Sequence, residues 1–131
     1  MADITGLHAV RIVTGDLDQF EQTASFYQRL LGLEPFRRFG GPDAVHSAAL
    51  FQVGATQLIV TLEPDVTPDA DIDQGPIWLC FKTNDPEPTL DAARARQAEL
   101  PNDVVSTSFG TRAFYANDPA GLAVYVGTGW D

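Results

Sequence analysis

What this chain has little of narrows it first. Among 131 residues there is one cysteine, Cys80, so the chain has neither a disulfide framework nor a cysteine metal cluster of its own. Set among Trp78, Leu79 and Phe81, that thiol is expected to be buried and inert. Histidine is scarce too, with only His8 and His46. No apolar run approaches the ~18 residues of a membrane-spanning helix. The opening MADITGLHAV enters a strand pattern without a basic, apolar leader, so a soluble, cytoplasmic protein outside any membrane is expected. Basic residues are few: 8 Lys and Arg stand against 18 Asp and Glu, a formal charge of −10. So acidic a chain repels a phosphate backbone and lacks the electrostatic attraction on which nucleic-acid binding rests.

What is present is a 44% hydrophobic chain of single-domain length, ordinary for a globular protein and too apolar for a disordered one. Residues 7–14 read as a strand, with His8, Val10 and Ile12 on one face and Leu7, Ala9, Arg11 and Val13 on the other. Asp16 with Gln19 three residues on reads as a helix N-cap. Leu17, Phe20, Ala24, Tyr27 and Leu31 then form one apolar stripe, and Gly32 supplies the exit. Residues 34–39, 44–53 and 56–63 read as antiparallel strands divided at Gly40-Gly41-Pro42 and Gly54.

The same order then repeats. Residues 77–83 read as a strand, and Asp85 is expected to cap a shorter helix with Leu90, Ala93, Gln97 and Leu100 on one side. Pro86 and Pro88 fit only its first turn, and Pro101 lies past its end. Residues 104–108, 111–117 and 122–126 complete three more strands. The chain is therefore expected to be one α+β domain of two β-α-β-β-β modules, residues 4–64 and 75–131, joined by an acidic, Pro-containing linker at 65–74. Laying Thr14-Gly15-Asp16 on Thr83-Asn84-Asp85 carries His8 onto Ile77, so one module offers an imidazole where the other offers a hydrocarbon.

Several phrases carry a family resemblance across nearly the whole chain. They are Leu7-His8-Ala9-Val10, Gly15-Asp16-Leu17, Phe26-Tyr27-Gln28-Arg29-Leu30-Leu31-Gly32-Leu33, and Phe114-Tyr115-Ala116-Asn117-Asp118-Pro119-Ala120-Gly121. In this order, inside a duplicated pattern, they resemble the vicinal oxygen chelate superfamily of glyoxalase I, bleomycin-resistance proteins and extradiol dioxygenases. The resemblance implies modules whose sheets curl into an open, curved mixed barrel, with helices on the convex side and a ligand pocket on the concave side. It also implies a homodimer with the pocket near its interface. Metal-using members hold a divalent ion at four strand positions, which map here to His8, to Val60 or Thr61, to Ile77 and to Tyr125.

Chemistry decides what that mapping means. A catalytic site of this kind needs about three imidazole or carboxylate ligands. Valine and isoleucine have no lone pair to give, threonine is a poor neutral donor, and tyrosine ionises only near pH ~10. His46 lies away from these positions, and Glu63 would reach them only by a strand slip that turns an apolar set to the wrong face. No metal and no cofactor are therefore expected.

What remains is a pocket for a small molecule. Its expected walls are His8, Val10 and Ile12, then Leu58, Val60 and Leu62, then Ile77, Leu79 and Phe81, with Tyr125 from the last strand. Phe39 and Trp130 are expected at the rim. The expected function is metal-independent sequestration, as in bleomycin-resistance proteins, of a hydrophobic or aromatic compound such as an antibiotic, cationic ones included, in an aromatic, acidic pocket. The alternative is a metal-independent lyase or isomerase using His8 and Tyr125, a few ångströms apart, as acid and base.

Overall fold

The computed structural model describes residues 6–40, 46–64, 77–107 and 110–128. The expected linker, the turn at Gly41-Pro42 and the expected rim residue Trp130 lie outside the described residues. The elements run β1 (Ala9–Thr14), α1 (Leu17–Leu31), β2 (Arg37–Phe39), β3 (Ser47–Val53), β4 (Thr56–Leu62), β5 (Trp78–Lys82), α2 (Pro86–Ala95), β6 (Val105–Ser106), β7 (Arg112–Asn117) and β8 (Ala123–Gly127). This is β-α-β-β-β twice, in two four-stranded sheets ordered β1-β4-β3-β2 and β5-β8-β7-β6. The first strand of each module pairs parallel with its last, and the other pairs are antiparallel. Among the described residues no ladder joins the two sheets into a closed barrel.

Helix α1 forms for the reasons its sequence announces. Asp16 Oδ1 accepts the Gln19 backbone N–H at 2.7 Å, and the Gln19 side chain reaches back to the Gly15 N–H at 3.3 Å. Gly32, at φ 66°, ends the helix in the left-handed conformation.

Helix α2 departs from expectation at both ends. Asp85 makes no side-chain cap bond. An N-cap carboxylate accepts from the second or third residue of the helix, and the third is Pro88, which has no N–H. Thr83 and Thr89 tie down the start of the helix in another way: their hydroxyls bond each other at 2.7 Å, and Thr89 donates to the Asp85 carbonyl at 2.8 Å. The helix then stops at Ala95, because Gln97 turns left-handed at φ 69° and the Ala98 N–H closes back on the Ala93 carbonyl. Leu90 and Ala93 are buried as expected, Gln97 is exposed, and Leu100 is buried from the following segment.

The helices cover one face of the sheets and touch each other. One hydrophobic core joins both modules, with Phe20, Tyr27 and Leu30 of α1, Leu90 of α2, and Ile12, Phe51, Leu58, Val60, Phe114, Val124 and Val126 of the strands. Two polar links tie α1 to the second module. Tyr27 donates from its hydroxyl to Asp118 Oδ2 at 2.6 Å, and Arg96 donates to the last carbonyls of α1, on Arg29 at 2.7 Å and Leu30 at 3.0 Å.

Candidate functional site

Strand alternation decides which side chains remain for a ligand. Because Ile12, Leu58, Val60, Val124 and Val126 lie in the helix-covered core, their neighbours point to the opposite, open face. On the first sheet the register sets Arg11 beside Ile59 and Leu50, and Val13 beside Thr61 and Ala48. Phe39 of β2 pairs with Ala48 on the same face. On the second sheet, Cys80, Tyr125 and Tyr115 form one row and Trp78, Ala123 and Asn117 the next.

The two open faces differ in character. The second is aromatic: Trp78 and Tyr125 each meet Tyr115 edge to face, with ring centroids 5.6 Å apart. Trp78 is 50% exposed, whereas Tyr125 is buried and donates its hydroxyl to the Thr128 carbonyl at 2.8 Å. The first face is polar along one edge. A groove of about 340 Å³ is lined by Arg11, Phe39, His46, Ser47, Ala48, Thr61, Leu62 and Glu63. Within it Thr61 donates to Glu63 Oε2 at 2.7 Å, and Arg11 Nε lies 3.6 Å from the same oxygen. Phe39 is half exposed and carries the Arg37 guanidinium 4.5 Å above its ring.

This arrangement relocates several residues expected to face the pocket. Ile12, Leu58, Val60 and Leu62 are core residues, and Val10, Leu79 and Phe81 pack against that core. The physical reason is that LIVTL in β4 and WLCF in β5 are apolar on both faces, so alternation alone does not say which face is covered. His8 and Ile77 are exposed just before β1 and β5 and share the parity of the helix-side residues. His8 and Tyr125 thus do not share a face. Cys80, expected to be buried, is exposed on the aromatic face, where partial desolvation pushes its thiol pKa up. Phe39 and Tyr125 do belong to the open faces.

The sheet register also revises the family mapping. Cys80 pairs with Tyr125 and, in the first module, Arg11 with Ile59. Arg11 is the counterpart of Cys80, so the position matching Tyr125 is Ile59, not Val60 or Thr61. Glu63 reaches the open face without a strand slip, because it follows Thr61 in parity and its N–H bonds the Thr14 carbonyl in register. Arg11, His46, Ser47 and Glu63 were missed as lining residues. The available signal was Arg11, the one charged residue of β1, which by itself marks the uncovered face.

A divalent ion does not fit these residues. Among the described residues no three of His, Cys, Asp and Glu come together as ligands. The carboxylate of the groove, Glu63, is already held by a hydroxyl donor and approached by a guanidinium whose charge repels a cation.

Comparison with solved structures places this fold among known ones. The chain is 21% identical to a glyoxalase/bleomycin resistance protein from Catenulispora acidiphila, covering 95% of this chain and 99% of that one with a TM-score of 0.64. It is 24% identical to a lactoylglutathione lyase from Agrobacterium tumefaciens, over 98% and 97% of the two chains, with a TM-score of 0.61. A glyoxalase family protein from Enterococcus faecalis shares 20% identity over 93% and 96%, with a TM-score of 0.66. No curated protein matches the chain. Residues 6–126 match the family model throughout both modules, and the chain belongs to the Glyoxalase/Bleomycin resistance protein/Dioxygenase superfamily.

Proposed function

We propose that this chain binds a small aromatic molecule on its open sheet faces and sequesters it without a metal ion. The observation that carries this reading is the exposed Trp78 indole, which meets the ring of Tyr115, itself backed by the buried Tyr125. A half-exposed indole on a sheet otherwise packed with core is costly to leave in water and offers a flat stacking surface. The groove on the other sheet, lined by Arg11, Phe39 and Glu63, offers a second surface with hydrogen-bonding groups of its own. Exposed Val13 and Ile77 support a homodimer. The acid–base alternative is the weaker reading, since the Tyr125 hydroxyl is engaged by a carbonyl and His8 follows the opposite parity.

Calorimetric titration with planar aromatic compounds tests the proposal. Saturable binding is expected, weakened roughly 2- to 10-fold by Trp78→Ala, the scale of one lost aromatic contact. The ligand should be recovered chemically unchanged. Binding unmoved by both Trp78→Ala and Tyr115→Ala, or stoichiometric metal in the purified protein, would overturn it.

A further inference from the structure

Resting on the reading that the open faces hold the ligand, we infer that the groove of the first sheet selects an anion, a carboxylate carried on a small aromatic body. The net charge of −10 points the other way, but the charge is not spread evenly. In the described residues the carboxylates of the helices lie in the helical layer, where Glu21 pairs with Arg38 and Glu87 with Arg112. On the open face of the first sheet and its edge the described residues supply a single carboxylate, Glu63, against the guanidinium groups of Arg11 and Arg37. Salt screens charges beyond ~8 Å at physiological ionic strength, so a ligand in the groove responds to Arg11 and Glu63, which line it, more than to the chain's summed charge.

Glu63 is also the less available of the two partners. Its side chain is 21% exposed and already accepts the Thr61 hydroxyl, whereas the Arg11 side chain is 56% exposed. Arg11 meets Glu63 through Nε, which leaves both terminal amino groups outside that contact. An incoming cation would have to displace Arg11 to reach the carboxylate. An incoming carboxylate meets a planar fork of donors suited to bidentate pairing. Across the groove the half-exposed Phe39 presents a ring for the body of the ligand, stiffened by Arg37 above it. The groove's volume, about 340 Å³, sits at the small end of ligand sites, which suits a ligand of one or two rings.

Benzoate, benzamide and benzylammonium, similar in size and different in charge, form the test. Calorimetry on the intact protein should rank benzoate above benzamide and benzamide above benzylammonium. Arg11→Met should cost benzoate roughly 10- to 100-fold, the loss of a charge-assisted pair, and leave benzamide nearly unchanged. Glu63→Gln should tighten benzoate by removing the competing anion. Preference for benzylammonium, or equal binding of all three with no response to Arg11→Met, would overturn the anion selectivity and leave the aromatic-binding reading standing. No binding of any probe at about 10 mM, where even a millimolar site is filled, would overturn both.

Discussion

Tyr27→Phe removes one oxygen from the middle of the molecule and isolates what that oxygen does. Tyr27 is fully buried, and its hydroxyl donates to Asp118 Oδ2 at 2.6 Å. Asp118 is itself buried at the turn before β8, where its other oxygen accepts the Leu122 N–H at 2.9 Å. The substitution keeps the ring, its edge-to-face contact with Phe26 and its contact with Phe81. What is lost is a hydrogen bond to a charged group, worth about 1.5–3 kcal/mol, with a buried carboxylate oxygen left short of a donor. Against a total stability of about 5–15 kcal/mol this is a large fraction. At a urea slope of about 1–3 kcal/mol per molar, the unfolding midpoint should fall by roughly 1 M. A loss below about 0.5 kcal/mol would refute the view that this bond pins the first module to the second.

The same residue sets a pH dependence. Burial, then the bond and charge of Asp118, raise the Tyr27 pKa above its usual value near 10. The native phenol keeps its proton while the unfolded chain ionises above pH ~10. Its contribution is therefore complete below about pH 10 and is lost as pH rises further, at up to about 1.4 kcal/mol per pH unit. Tyr27→Phe should flatten that alkaline slope, and an unchanged slope would assign it to other groups.

Arg96→Ala should destabilise by about 1–2 kcal/mol in thermal or urea unfolding, because it strips donors from two terminal carbonyls of α1. Arg96→Lys should restore only part of that, since a point charge cannot span both carbonyls. Native Cys80 should react to completion with a thiol reagent such as a maleimide, more slowly than in urea because its pKa is raised, and a bound aromatic ligand should slow it further. No labelling before unfolding would contradict its exposed position beside Tyr125.

The sequence made local structure legible where one signal dominated. Asp16, the apolar stripe and Gly32 announced α1 without ambiguity, and the second copy could be laid on the first through Thr83-Asn84-Asp85. The end of α2 was less readable, because Gln97 continues a helical spacing while its backbone turns left-handed. The faces were the larger failure. Leu58, Ile59, Val60, Thr61 and Leu62 offer apolar groups to both sides, and only helix placement reveals that Leu58 and Val60 belong to the helix-side core while Ile59 and Thr61 face the other way. The charge of the groove was not legible for a related reason: a net charge averages the helical carboxylates with the open face, where among the described residues Arg11 and Arg37 stand against Glu63.

The central claim is that ligand chemistry belongs to the open sheet faces. The most direct measurement is a backbone chemical-shift map recorded while an aromatic carboxylate is titrated into the labelled protein. Perturbed amides are expected at Arg11, Phe39 and Thr61 of the groove. Shifts confined instead to the cleft on the helical side, a volume of about 430 Å³ bordered by Phe26, Arg29, Gln97 and Glu99, would contradict it.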